Sequence, residues 1–286
     1  MTLDVFCVYG APNEAHMRTI QIPALQAQVA QGVDLRLHVL NYADDRPLLA
    51  DAGGAGLDVT DWSAGREPRQ IGFGEAVNHL FEKSRPEGRF LLVNPDSLPV
   101  GDCIPRLLAR HDAEKPGIVE ARQWPMEHPK EYDPATGETP WASGAFLLID
   151  SAVFGAIGGF DPVYFLYCED VDLSWRMWLV GSRVLYEPEA LCMHFTGALG
   201  YREDRFYYEH YFSSRNYIGI AYKFFGEEGE SKALDHFRAT GYPPDFKRRV
   251  LDDYAALKGR IVRHPGPLTS PHVKILGFNR YHEFRQ

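Results

Sequence analysis

Short apolar runs recur along the chain, each closing on polar residues, glycine or proline: Asp4 to Tyr9, Leu35 to Leu40, Arg89 to Val93, Gly117 to Ala121, Ala145 to Ile149 and Arg183 to Tyr186. Runs this short and this continuous predict strands covered on both faces, because a strand with one wet face would alternate instead. Between several of them the apolar spacing is helical. His16 to Gln31 brings Ile20, Leu25 and Val29 roughly onto one side, and Pro23, which has no N–H to donate, should kink or interrupt that helix. A second helix is predicted from Glu169, where Val171, Trp175, Trp178 and Leu179 fall at i, i+4, i+7 and i+8 and Gly181 is a fitting stop. After Gly226 the chain turns more polar, and a further helix is predicted over Pro244 to Lys258. Strand, helix, strand order in the first third of the chain predicts an α/β, Rossmann-like fold, with a mainly parallel central sheet and helices on both faces. The expected organisation is one such domain over 1–225 and a C-terminal helical or irregular extension over 226–286.

Sheets of this kind bind ligands beyond the carboxyl ends of their strands, so the residues just after the apolar runs are the candidates. In RFLLVNPDSLP the strand over Phe90 to Val93 is followed at once by Asn94, Pro95 and Asp96. Asp96 either caps the next turn or serves as a hard oxygen ligand for Mg²⁺ or Mn²⁺ against a diphosphate. FLYCEDVDLSWR places Glu169, Asp170 and Asp172 in the first turn of the predicted helix. The unpaired N–H groups there favour each carboxylate by about 0.3–1 kcal/mol, enough to account for one or two acids. The aromatic approach through Tyr164, Phe165 and Tyr167 points to a walled pocket, where an ionised carboxylate suits a general base acting on a hydroxyl. His194 follows another apolar stretch and is either a packed histidine or a companion of Asp96 at the same sheet edge. In the aromatic segment Tyr201 to Phe212, Tyr208 and Phe212 read as helix packing rather than an acceptor wall. Lys247, Arg248 and Arg249, with acids close by, read as a solvated helix face rather than a lipid contact.

Charge and cysteine content narrow the classes. A formal net charge of -9 over 286 residues disfavours a nucleic-acid partner, which would require clustered Lys and Arg, and leaves an anionic substrate in need of a local device such as a metal ion. Four cysteines, widely spaced and without a CxxC pair, read as reduced thiols in a cytosol. The start MTLDVFCVYG does not look like a signal peptide, and no apolar run is long enough to span a bilayer, so the expectation is a soluble or at most peripheral protein.

Four blocks taken together carry a resemblance: GFGEAVN at Gly72 to Asn78, LLVNPDSLP at Leu91 to Pro99, WASGAFLLI at Trp141 to Ile149, and the stretch from Gly158 to His194. In order and approximate spacing the run from Ile71 to Gly200 resembles the catalytic core of the family 2 glycosyltransferases with the GT-A fold, above all the bacterial rhamnosyltransferase-like branch. The resemblance implies an inverting, metal-dependent transfer of a sugar from a nucleotide diphosphate sugar (a UDP- or dTDP-sugar) to a saccharide or lipid-linked acceptor, in the synthesis of cell-surface polysaccharide. Asn94-Pro95-Asp96 takes the place of the family's metal motif, with Asp96 the ligand and His194 matching a histidine that completes coordination in some relatives. Glu169-Asp170 matches the acidic pair whose aspartate is the expected base, Glu169 being its orienting neighbour. Gly72, Phe73, Gly74 and Asn78 match a loop near the donor sugar and diphosphate, and Trp141, Ser143 and Gly144 a segment lining the acceptor side. The second strand departs from the family pattern, ending Leu40-Asn41 where many relatives have Asp-Asn, so Asn41 takes the nucleobase position. The resemblance also implies a cytoplasmic location, leaving contact with the inner membrane face and homo-oligomerisation open. Two other readings share the fold: a nucleotidyltransferase, although GAPNEA after the first strand is no basic, glycine-rich phosphate loop, and a non-catalytic sugar-nucleotide or carbohydrate-binding protein.

Overall fold

A computed structural model describes residues 2–125, 131–195 and 203–281. The Gly200 end of the matched run lies outside the described residues. Eight strands form one sheet: β1 (Leu3–Tyr9), β2 (Leu35–Asn41), β3 (Asp58–Asp61), β4 (Arg89–Val93), β5 (Ser97–Pro99), β6 (Ile118–Pro125), β7 (Phe146–Asp150) and β8 (Val184–His194), in the order β3-β2-β1-β4-β7-β6-β8-β5. β1 pairs in parallel with both β2 and β4, β2 with β3, and β6 with β8. β7 runs antiparallel between β4 and β6, and β5 antiparallel to β8. The expected α/β architecture is therefore present, with one reversed strand in its middle.

The continuous apolar runs are explained by two cores. Phe6 and Val8, Phe90 and Leu92, Leu147 and Ile149 point to one face, while Val5 and Cys7, Leu91 and Val93, Phe146 and Leu148 point to the other. Helices α3 (Phe73–Ser84), α5 (Ser151–Ala156), α6 (Glu169–Leu179), α7 (Glu203–Arg238) and α8 (Pro244–Lys258) cover the first face; α2 (Ile22–Ala30) and α4 (Cys103–Glu114) cover the second. All four cysteines are buried free thiols.

Three local expectations change. Pro23 does not break its helix; the short α1 (Glu14–His16) passes through a wide π-type turn at Met17–Gln21 into α2. The wide turn shifts the buried face, so Met17, Gln21 and Leu25 point inward and Ile20 is exposed. β8 is longer than its apolar run and carries the chain through Glu187, Pro188 and Glu189 as far as His194. In the aromatic segment Phe212 packs as expected, but Tyr208 touches it from the outside and is itself exposed. Gly226 adopts φ 65°, ψ −153° inside α7 and kinks it. Beyond the kink the chain returns to the first core, where Tyr281 sits 5.6 Å from the Trp175 ring and 6.4 Å from Trp141.

Candidate active site

The carboxyl ends of β1, β2, β4, β6 and β8 share one edge of the sheet, and because β7 is reversed, the segment that enters it, Trp141 to Ala145, arrives at that same edge. The Asn94 N–H donates to the Ala145 carbonyl at 2.9 Å, fixing the turn after β4 against this segment. Gln21, delivered by the wide turn, donates through Nε2 to the Asn94 carbonyl at 2.5 Å and to that of Ser97 at 3.3 Å.

Register brings Asp96 and His194 together although they lie far apart in sequence. Ser97 is the cross-strand partner of His194, and the Phe195 N–H donates to the Asp96 carbonyl at 3.0 Å. Asp96 Oδ1 lies 3.5 Å from His194 Nε2. Burial would push the Asp96 carboxyl up, but the contact and charge of His194 outweigh it and hold the group below the usual carboxylate range. Among the described residues no group of three His, Cys, Asp or Glu side chains gathers into a ready metal cage. A hard carboxylate oxygen and an imidazole nitrogen facing one another fit a divalent cation that takes its remaining ligands from substrate and water.

The three clustered acids separate. Asp172 is fully buried and bound by Arg176 Nε at 2.5 Å and by Lys223 Nζ; burial opposes its ionisation, and these two cations hold its carboxyl below the ordinary range. Glu169 is also buried, and desolvation, aided by the neighbouring Asp170 charge, pushes its carboxyl well above the usual range. Asp170, half-buried, accepts the Gly144 N–H on Oδ2 at 3.1 Å and its own helix's Val171 N–H on Oδ1 at 2.8 Å. The acids reach this position through Tyr167 and Cys168, both left-handed at φ 66° and 69°. Buried Asn216 of α7 clamps that turn, Nδ2 donating to the Leu166 and Tyr167 carbonyls at 2.8 and 2.7 Å.

Three consecutive N–H groups of the loop before β7 each meet a different side chain: Ala142 donates to Ser174 Oγ at 3.1 Å, Ser143 to Glu120 Oε1 at 3.1 Å, and Gly144 to Asp170. A side chain at Gly144 would stand 3.6 Å from Phe73 and 3.8 Å from the Asp170 Cβ, so Phe73, Gly144 and Asp170 are neighbours. Phe73 N–H donates to the Phe165 carbonyl at 2.9 Å, and a Cβ at Gly72 would come within 2.8 Å of that same oxygen. Gly74 packs under Phe160, whose N–H and carbonyl both pair with the Asn78 amide at 2.8 Å. Asn41 is buried at the end of β2, its amide donating to Asp44 Oδ1 at 2.7 Å and accepting from the Ala43 N–H. Trp141 flanks the same loop. The structure thus gathers Asp96, His194, Asn94, Ser143, Gly144, Asp170 and Phe73 around one sheet edge, and commits Gly74 and Asn78 to packing.

No family model matches the chain. It is 39% identical over 67 residues to rhamnosyltransferase WbbL of Escherichia coli (23% of this chain, 25% of that protein). It is 42% identical over 62 residues to an N-acetylglucosaminyl-diphospho-decaprenol L-rhamnosyltransferase of Mycobacterium tuberculosis (22% of this chain, 20% of that one). The match thus spans a quarter or less of either relative. Among solved structures, the Pyrobaculum calidifontis mannosyltransferase PcManGT, in complex with GDP-Man and Mn²⁺, superposes with a TM-score of 0.51 at 13% identity over 89% of this chain and 79% of that one. Staphylococcus aureus TarS 1-349, in complex with UDP-GlcNAc, superposes with a TM-score of 0.55 at 12% identity over 90% of this chain and 81% of that one. The chain has the GT-A fold and is similar to the bacterial rhamnosyltransferases. The expected resemblance to that branch of the family 2 glycosyltransferases is borne out.

Several residues of this candidate site escape a reading of the sequence alone. Glu120, Gln123, Ser174, Gln21 and Asn216 follow no motif. One signal was available for Glu120, a carboxylate in the middle of the buried run Ile118 to Ala121. A charge there must be satisfied by something specific.

Proposed function

We propose that the protein transfers a sugar from a nucleotide diphosphate sugar to a hydroxyl of a saccharide or lipid-linked acceptor, with inversion at the anomeric carbon. The observation that carries this reading is Asp170, a half-buried carboxylate aimed by the Gly144 N–H, at the sheet edge that also holds Asp96 and His194. Asp170 takes the proton of the acceptor hydroxyl as its oxygen bonds to the anomeric carbon from the face opposite the diphosphate. The bond from that carbon to the diphosphate oxygen breaks, and its electron pair leaves on the diphosphate. A single displacement inverts the centre. Asp96 and His194 would hold Mn²⁺ or Mg²⁺, which when bound supplies positive charge against the departing diphosphate. Glu169, favoured in its neutral form by burial, orients Asp170 rather than sharing its role.

The names of the similar proteins support the donor class. GDP-Man and Mn²⁺ accompany the mannosyltransferase, and UDP-GlcNAc accompanies TarS. The curated relatives are named as rhamnosyltransferases, so a dTDP- or UDP-linked deoxysugar is the first donor to try. No helix among the described residues is long and apolar enough to cross a membrane; peripheral, cytoplasmic action on a lipid-linked acceptor for surface polysaccharide is part of the proposal. The extension from Gly226 would serve to brace the acceptor side through Tyr281 and Trp141.

Asp170→Asn tests the assignment. Transfer should fall by a factor of order 10²–10⁴, the usual worth of a general base, while donor binding stays near native. Free nucleoside diphosphate should be the product. Pyrophosphate would point to nucleotidyl transfer, and full activity in the variant would remove Asp170 from its role.

A further inference from the structure

Glu120 and Gln123 lie on β6, behind the two ends of the site. Residues three apart on a regular strand face opposite ways. Here the β6–β8 register slips between Ala121, opposite Glu187, and Arg122, opposite Leu191, and the two side chains meet: Gln123 Nε2 donates to Glu120 Oε1 at 3.3 Å. Both are buried, Glu120 completely. With its nitrogen turned to a carboxylate, the Gln123 amide presents Oε1 to His194 Nδ1 at 2.7 Å. A carbonyl-type oxygen at that distance from a ring nitrogen needs a hydrogen on the nitrogen. In the neutral ring the proton therefore sits on Nδ1, leaving the Nε2 lone pair facing Asp96 Oδ1, 3.5 Å away. Glu120 Oε1 also accepts the Ser143 N–H, and the next N–H along, that of Gly144, holds Asp170 Oδ2.

We infer that Glu120 and Gln123 are positioning residues that set the His194 tautomer for cation binding and, through the Ser143–Gly144 backbone, tie that end of the site to Asp170. The inference rests on the reading of Asp96 and His194 as the cation site. It extends that reading with a defined hydrogen-bond order from His194 through Gln123 and Glu120 to the Ser143 N–H, and along the backbone to the Gly144 N–H that holds Asp170. Two groups that touch neither donor nor acceptor thereby govern both the cation and the base.

Three variants separate this from a merely structural role. Gln123→Leu keeps the bulk and removes the acceptor, so the neutral His194 ring should lose its Nδ1–H form, read by long-range proton–nitrogen NMR. Mn²⁺ affinity measured with UDP present should fall roughly 10–100-fold, the usual effect of losing the partner that orients a ligand. The thermal midpoint should fall modestly, since buried Glu120 loses a donor, while kcat at saturating Mn²⁺ stays within a few-fold. In the exchange Glu120→Gln with Gln123→Glu the new carboxylate accepts from His194 Nδ1 and from the new amide, so tautomer and affinity should both return toward native, although the contact with the Ser143 N–H is not reproduced. Glu120→Ala frees the Ser143 N–H as well and should lower kcat even at saturating Mn²⁺. An Nε2–H ring in the native protein, an unchanged ring in Gln123→Leu, or a double exchange no better than Gln123→Leu overturns the inference. A native protein with the Nδ1–H ring that binds no Mn²⁺ with any nucleoside diphosphate supports the relay and sinks the cation site instead.

Discussion

At the residue scale the environment sorts Glu169, Asp170 and Asp172, which the sequence places side by side. Asp172 is neutralised by Arg176 and Lys223, Glu169 finds no polar partner among the described residues for its buried Oε2, and of the three acids Asp170 reaches the loop before β7. The difference has a pH signature. Because Glu169's folded-state pKa lies above its unfolded value, its contribution is fully present below the unfolded value and is lost as pH rises through the folded one. Glutamine at this position cannot ionise and escapes that loss. Glu169→Gln should therefore gain thermal stability relative to the native protein as pH climbs from about 5 to about 8, followed by calorimetry at several pH values. A gap that stays constant or shrinks would mean that Glu169 is ionised in the fold. Transfer by this variant should remain within a few-fold of native, in contrast to Asp170→Asn.

Elements hold the site by backbone devices more than by side-chain charge. Helix α6 begins directly after two left-handed residues that are not glycine, and Asn216 of α7 occupies both carbonyls of the turn. Replacing Asn216 by Ala strands those carbonyls, which should cost about 1–3 kcal/mol in urea-induced unfolding. Transfer should drop with it, because the turn sets where Asp170 points. If activity persists at full strength in a measurably less stable Asn216→Ala protein, the turn is held by its neighbours instead. A comparable backbone device sits in α7 itself, where Gly226 holds a conformation nearly closed to other residues and a Cβ would run into the Arg263 guanidinium. Gly226→Ala should destabilise by about 1–3 kcal/mol, visible as a lower midpoint in thermal unfolding. A neutral result would show that α7 can straighten.

Over the whole molecule, the sheet's two cores have different duties. One packs α2 and α4 against the sheet; the other carries α6 on a bed shared with α7, α8 and the chain's last described residues. Tyr281 belongs to this bed, touching Trp175, Tyr217 and the Cys168 thiol, whose sulfur lies 3.7 Å from the Tyr281 hydroxyl. A residue more than a hundred positions away thus supports the turn before Asp170. Tyr281→Ala should lower stability by about 3–5 kcal/mol, as for other large buried aromatics. Transfer should fall further than the loss of folded protein explains, measured per folded molecule. Activity that merely tracks the folded fraction would confine Tyr281 to packing.

Much of this was legible in the chain. The apolar runs marked six of the eight strands, since burial on both faces leaves an unbroken apolar signature; the helix from Glu169 declared itself by its spacing and its stop at Gly181, and the helix over Pro244–Lys258 stands where it was expected. Asp96 and His194 could be singled out as polar groups that close apolar stretches, and Asp170 by its place in an acidic helix start behind an aromatic approach. What the chain did not disclose was contact order. The short strands β3 and β5 lack an apolar run, the reversal of β7 has no local signal, and the slip between β6 and β8 depends on two strands at once. Register across the sheet decides that Asp96 meets His194 and that Glu120 reaches Gln123. Burial, a property of the whole packed molecule, decides which of three adjacent acids is left facing the site.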